Sequence, residues 1–427
     1  MRLRLLATSL VAVVTTALFA APAEAAAKPA KVGLVSIVGT STYVSGGRTY
    51  AKVKISWPKA RKATKYQVFV SSSAARVLKV RKPTKTVRGT SVTISKLGRH
   101  RQVWFQVRAV NGSRPGPRSS RVARITPLAS PQLSAATSPV ISMMTYNVCS
   151  NACSKWTTRM PLVVKQIDRI KPDVLAVQEA SQWKAAEIPG YLEARCGKDN
   201  RIFYREDVFE QVERPLSEGQ ETEDCAAPSS PEAAADQPNE PNEPAVAPLV
   251  GELSIPGKNV PWTLLRHRRT GQEVAFLGFH LAVDSNGSKA SYRASQTTSA
   301  ITKLDEDFKA WGLEKQSIPT VLIGDFNTNR SRAGNSTLET VMNRNGYFDS
   351  YEQARLLINQ HFNSANPAWA TLPRIGVTWG DHVDKIWIRP TKTRVHLWMN
   401  AGEMAGGRWK APLPTDHHPV LIRAQVS

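Results

Sequence analysis

The stretch Ile318-Pro-Thr-Val-Leu-Ile-Gly-Asp-Phe-Asn-Thr328 decides how the rest of the chain is read. Thr320 to Ile323 are apolar or β-branched and spell a buried strand, which Gly324 breaks. Asp325 and Asn327 follow at its end. Residues two apart on an extended chain project to the same side. A carboxylate and an amide would therefore face one spot, an arrangement suited to a metal-bound phosphate. Gly, Asp and Asn are also ordinary turn residues, and the stretch alone does not choose between the two readings. Other polar clusters, each closing an apolar run, make the choice.

Upstream, Val140-Ile-Ser-Met-Met-Thr-Tyr-Asn147 reads as a strand ending on an amide. Met160, Val163, Val164, Ile167 and Ile170 recur at helical spacing from Trp156 to Ile170, and Pro172 stops that helix. Asp173-Val-Leu-Ala-Val-Gln-Glu179 is a second buried strand, ending on a carboxylate. Strand, helix, strand places Asn147 and Glu179 at one sheet edge if the two strands run side by side in the same sense. Arg201 to Arg205 is a short strand whose last residue either meets a phosphate or sits on the surface. Trp262–Arg266 and Glu273–His280 form a hairpin around Arg268-Arg-Thr-Gly271, and His280 closes it. A helix follows, with Ile301, Leu304, Phe308 and Trp311 on one face. After the opening stretch come a helix over Thr337–Met342, a strand Val383–Ile388, the cluster Pro414-Thr-Asp-His-His-Pro419 and a last strand, Val420–Val426.

Charge divides the 427 residues unevenly. Residues 28–127 hold 23 Lys and Arg with no Asp or Glu, whereas residues 128–427 hold 32 basic and 33 acidic residues. One module thus carries the positive charge, and a polyanion is its natural partner. Arg2 and Arg4 before the apolar run Leu5–Ala21, with Ala23-Glu24-Ala25 as a cleavage site, predict a signal peptide over residues 1–25 and export. Four cysteines agree with export. Pairing Cys149 with Cys153 and Cys196 with Cys225 is the expectation. A zinc site is the rival, without a second Cys or His pair at ligand spacing. Residues 128–139 read as a linker. Residues 215–250, with eight acids, no Lys or Arg and many prolines, read as a disordered acidic insertion.

The basic module shows short strands at Val53–Trp57, Tyr66–Val70, Ser91–Ile94 and Val103–Val110. On Trp57-Pro58, Tyr66 and Leu97 leading to Val103-Trp-Phe-Gln-Val-Arg-Ala-Val-Asn111, it resembles a fibronectin type III domain. Val103 stands where that family usually has a tyrosine, so the tyrosine-corner bond is absent.

The ordered set Met144-Thr-Tyr-Asn147, Val177-Gln-Glu179, Gly278-Phe-His280-Leu, Gly324-Asp-Phe-Asn327, Val383-Asp384-Lys-Ile and Thr415-Asp-His417-His-Pro419 resembles the endonuclease/exonuclease/phosphatase superfamily, the deoxyribonuclease-I-like fold. Hard oxygen ligands favour Mg²⁺, Mn²⁺ or Ca²⁺ over zinc, and two histidines can move protons. No Gly-x-Ser-x-Gly elbow or glycine-rich phosphate loop is present. The resemblance implies an α+β chain: a four-layer αββα sandwich over 140–427, preceded by the small all-β sandwich over 28–127. It implies Glu179 as the main metal carboxylate with Asn147 and Asp416 nearby, and Mg²⁺ as the first choice of ion. It further implies that Asp325 positions the attacking water and that Asn327 donates to a phosphate oxygen. His417, oriented by Asp384, would act as base or phosphate-binding cation, and His280 would stabilise the transition state or protonate the leaving oxygen. An acidic partner for His280 is not apparent. Leu281-Ala-Val-Asp284 stands where the abasic-site repair branch has Tyr-x-Pro-Asn, which speaks against DNA repair.

The expected activity is a secreted, monomeric nuclease, with the basic module holding nucleic acid. A lipid or small-molecule phosphoesterase of the same fold is the alternative, for which Trp369, Trp379, Trp398 and Trp409 would supply exposed aromatics. A non-catalytic protein whose basic module binds an anionic cell-wall polymer or membrane surface is the third reading.

Overall fold

The computed structural model describes residues 27–99, 101–126, 138–183, 188–195, 199–215, 246–284, 288–314, 317–329, 335–360, 362–366, 382–389, 393–405, 408–410 and 412–427. The predicted signal peptide, most of the linker, most of the acidic insertion, Cys196, Cys225, Trp369 and Trp379 lie outside these residues.

The amino-terminal module is a β-sandwich. One sheet has three strands, in the order Ser36–Ser45, Arg48–Ser56, Ser91–Leu97. The other has five, built on Lys65–Ser71 and Gln102–Asn111. All pairings are antiparallel. Alternation buries Ala51, Val53 and Ile55 from one sheet against Val68, Phe105 and Val107 from the other. Trp57 packs on Tyr66 with ring centroids 5.5 Å apart, and the Tyr66 hydroxyl accepts from the Ala60 N–H at 3.0 Å. This architecture is consistent with the expected fibronectin type III-like domain.

The remainder is a four-layer α/β sandwich of two seven-stranded sheets. In the first, Val140–Asn147 and Val174–Gln178 pair in parallel, with Asn147 opposite Gln178, as the strand–helix–strand order required. In the second, Glu273–His280 and Thr320–Asp325 pair in parallel, with His280 opposite Asp325. Thr320–Asp325 also pairs antiparallel with Asp384–Arg389, which sets Asp384 opposite Asp325. Helix Trp156–Ile170 covers the outer face of the first sheet through Val163 and Ile167. Helices Ala290–Ala310 and Asn335–Arg344 cover that of the second through Ile301, Leu304, Phe308, Leu338 and Met342.

Between the sheets lies a dry core of Ile141, Met143, Val174, Ala176, Phe276, Val321, Ile323, Ile386 and Ile388. Strand alternation makes the polar residues at the strand ends its continuation. Ile141, Met143, Thr145 and Asn147 share one face, as do Val321, Ile323 and Asp325, and Ile388, Ile386 and Asp384. The same period-2 pattern that fills the core thus delivers an amide and two carboxylates to one rim. Gly324 permits the close approach of its parallel neighbour, since a Cβ there would stand 1.9 Å from the Phe279 carbonyl oxygen.

The two modules are joined by contact as well as by chain. Arg124, fully buried, donates to the carbonyls of Tyr351, Glu352 (2.9 Å) and Ala354 (2.8 Å) in the four-layer half. Thr40 adds two bonds, N–H to Arg355 O at 2.7 Å and Oγ1 to Ala354 O at 2.9 Å.

Candidate active site

Seven side chains form a row across the rim. The Asn147 amide donates to Glu179 Oε1 at 2.9 Å and to Asp325 Oδ2 at 3.4 Å, and so ties the two sheets together. On one flank His280 places Nε2 3.7 Å from Glu179 Oε1 and Nδ1 3.4 Å from Asp199 Oδ2. On the other, His417 places Nε2 3.8 Å from Asp325 Oδ2 and Nδ1 2.9 Å from Asp384 Oδ2. The row is therefore Asp199, His280, Glu179, Asn147, Asp325, His417, Asp384, with a carboxylate behind each imidazole.

The local backbone is shaped for this. Glu179 has φ +55° and Cys149 φ +49°, left-handed values that a side chain makes costly. Backbone bonds hold both residues there: Ser150 N–H to Glu179 O at 2.8 Å, and Cys149 N–H to Asn147 Oδ1 at 3.0 Å. Cys149 is disulfide-bonded to Cys153, as expected from their spacing. Arg159, from the first helix, donates to the carbonyls of Val148, Cys149, Cys153, Ser154 and Pro414 at 2.7–3.1 Å. It clamps the loop after Asn147 to the segment that carries Asp416. Thr415 Oγ1 reaches back to Asn147 O at 3.1 Å.

Asp199 supplies the acidic partner of His280 that the sequence did not reveal. Its hydrogen bond to His280 holds the carboxyl below the usual range, against an opposing effect of burial. Burial works against a charged His417, but the Asp384 charge and hydrogen bond, with Asp325 and Asp416 beyond, outweigh it and push the ring up to about 10. Burial in turn raises the Asp384 carboxyl, with the His417 charge and hydrogen bond opposing it, so the two groups hold their proton as a pair. Lys258, at the start of the strand Lys258–His267, is a second missed residue. Burial pushes its ammonium down, while the charges of Asp199, Asp325 and Glu179 oppose the shift. Two bonds hold the segment that carries Asp199: Asn200 Nδ2 to Asn259 O at 3.1 Å, and Ala180 N–H to Asp199 O at 2.9 Å.

Three sequence-predicted residues take positions that qualify their expected parts. Asn327 lies at the rim with φ +49°, but one amide N–H goes to Leu281 O at 3.0 Å, and its backbone N–H goes to Asp325 Oδ1 at 2.8 Å. It fixes Asp325 through its backbone N–H. Asp416 lies beside the disulfide rather than in the row, with Thr415 Oγ1 on its Oδ1 at 3.1 Å. Arg205 is not at the site. It pairs with Asp173 at 3.3 Å and with Asp207, at the opposite end of the strand that leads to Glu179.

The donor set fits a divalent cation. Four carboxylates, Glu179, Asp199, Asp325 and Asp384, line the row beside two histidines, and ligand atoms of Asp325, Asp384 and His417 lie within 4.8 Å of one another. Glu179 keeps a quarter of its side chain exposed, and oxygen donors of this kind suit a hard ion.

A family model described as the endonuclease/exonuclease/phosphatase family matches residues 144–417. No curated protein matches the chain. Among solved structures, a mannosyl-6-phosphatase from Bacteroides thetaiotaomicron is 21% identical, covering 66% of this chain and 99% of its own, with a TM-score of 0.43. TDP2 from D. rerio, complexed with single-strand DNA product, is 14% identical, covering 67% and 100%, with a TM-score of 0.44. The human Nocturnin catalytic domain is 15% identical, covering 67% and 94%, with a TM-score of 0.43. The matched segment takes in the six strand-end motifs from Met144 to His417, and on that match the chain belongs to the endonuclease/exonuclease/phosphatase family.

Proposed function

We propose that the chain is an exported, divalent-metal-dependent phosphodiesterase, most specifically an endonuclease. The observation that carries this reading is the pair of carboxylate-backed histidines on either side of Asn147, Glu179 and Asp325. A phosphodiester between them meets a cationic donor at His417 and a proton donor for the leaving oxygen at His280, while the Asp325 carboxylate between them takes the proton of the attacking water.

Glu179 and Asn147 would hold the metal ion, with Mg²⁺ as the first choice, and Asp416 stands outside the row beside the disulfide. When bound, such an ion would supply Lewis-acid stabilisation of the charge developing on the phosphoryl oxygens. His417, charged through Asp384, donates to a non-bridging oxygen. Asp325, held by Asn147 and by the Asn327 N–H, orients the water. His280, held by Asp199, protonates the leaving oxygen, and Lys258 attracts the phosphate to the rim. The basic module, with its 23 cations and no anion, is read as the element that retains a polyanionic substrate.

Two observations bear on the alternatives. Trp398 and Trp409 are 1% and 2% exposed, so neither offers an aromatic hairpin to a lipid. The complete row of site residues speaks against an inert domain. No described helix is long and apolar enough to cross a membrane. The test is hydrolysis of plasmid DNA by the mature chain with Mg²⁺, with Ca²⁺ and with EDTA, beside His417→Ala. Nicking that requires metal and is lost in the variant is the expected result. Absence of nicking with every ion, together with hydrolysis of a small phosphomonoester, would replace the nuclease by a phosphatase.

A further inference from the structure

The outer face of the three-stranded sheet has a composition that hydrolysis does not use. In Arg48–Ser56 the buried residues are Ala51, Val53 and Ile55, so Tyr50, Lys52 and Lys54 project the other way. Across the register, Tyr43 stands opposite Tyr50, Ser41 opposite Lys52 and Gly39 opposite Lys54. The two tyrosine rings have centroids 5.9 Å apart and planes inclined by 33°. The Lys52 ammonium lies 5.8 Å from the Tyr43 ring centre, and the Tyr43 hydroxyl accepts from the Lys96 N–H at 2.9 Å. Lys52, Lys54 and Lys96 are exposed.

This face also borders the catalytic half. At Gly39 a Cβ would lie 3.6 Å from the Arg355 carbonyl oxygen, and the Arg355 side chain is exposed. The cationic surface therefore continues from Lys54 onto Arg355.

Bare cations attract any polyanion. Two half-buried rings set among them add a surface that only a ligand with planar rings of its own can use. We propose that this face, centred on Tyr43 and Tyr50 and flanked by Lys52, Lys54 and Lys96, binds single-stranded nucleic acid. Bases stack on the tyrosines and phosphates follow the lysines.

The proposal deepens the nuclease reading by naming a single-stranded ligand and rests on that reading for its purpose, but its test is separate from turnover. Binding of a fluorescent 20-nucleotide single strand is measured by anisotropy on the full chain in EDTA. Heparin, which has charge and no bases, and vesicles of anionic phospholipid serve as competitors. Tyr43→Ala/Tyr50→Ala is expected to weaken single-strand binding by at least about tenfold, with heparin binding within about twofold of wild type. The retained heparin binding also shows that the variant is folded. Tyr43→Phe/Tyr50→Phe is expected to retain single-strand binding. Lys52→Gln/Lys54→Gln is expected to weaken both ligands and to flatten the salt dependence. Single-strand binding unchanged in the Ala pair, equal losses for heparin and single strand in that pair, or displacement of the strand by vesicles more readily than by unlabelled strand would each overturn the proposal. Loss of plasmid nicking with strand binding intact would overturn the nuclease reading and leave the platform standing.

Discussion

Arg159→Lys tests the bracing of the site most directly. Arg159 is 4% exposed, and its guanidinium meets five carbonyl oxygens. A hydrogen bond to a charged group contributes about 1.5–3 kcal/mol, and such contributions are not additive when they share one donor group. Lysine offers three donors from one point instead of five in a fork, so at least about two of the carbonyls lose their partner. A destabilisation of about 4 kcal/mol is expected, read from the urea midpoint. The same substitution loosens the loop whose Cys149 N–H holds the Asn147 side-chain Oδ1. Affinity for Mg²⁺, measured by calorimetric titration, should therefore fall about 10-fold or more. Stability within about 1 kcal/mol of wild type together with an unchanged Mg²⁺ isotherm would refute the reasoning.

Other outcomes follow from the same geometry. Asp384→Asn keeps the shape behind His417 but removes the charge that sustains the imidazolium, so kcat should drop by about 10²–10⁴ with little change in KM. His382 and His418 are buried, and burial lowers each to about 3. The unfolded chain binds these protons near pH 6.5 and the folded one does not, so stability rises with pH between about 3 and 6.5. Each ring accounts for about 1.4 kcal/mol per pH unit within that window, and His382→Gln should flatten the profile of melting temperature against pH. Arg124→Ala leaves the carbonyls of Tyr351, Glu352 and Ala354 without their guanidinium. Calorimetry should show about 3 kcal/mol of destabilisation and two unfolding transitions in place of one.

Much of this was legible in the sequence for a physical reason. Asn147, Asp325 and Asp384 end apolar runs, and strand alternation carries the inner-face parity of the core into the site, so a periodic signal points straight at them. Helix Trp156–Ile170 was legible to the residue from its spacing and Pro172. Asp199 was not, because it lies in an irregular segment between two strands, where no period assigns a direction. Lys258 and Arg159 were missed for a related reason. A lysine beside a hairpin turn and an arginine in an amphipathic helix both look like solvated surface, and only tertiary contact reveals their burial. The strand Ser36–Ser45 escaped notice because Ser, Thr and Gly dominate it. Part of its stabilisation comes from Thr40 bonding to a distant part of the chain.

That docking has a consequence for the first catalytic sheet, whose terminal strand is Leu356–Ile358. An unprotected terminal strand offers its free amides and carbonyls to any other chain and is a template for aggregation. Here the Thr40 N–H and the Arg124 guanidinium occupy the carbonyls of Tyr351, Glu352, Ala354 and Arg355 immediately before that strand. The basic module is thus also a lid on an adhesive border. Excising it would leave a half whose uncovered border tends to associate with itself.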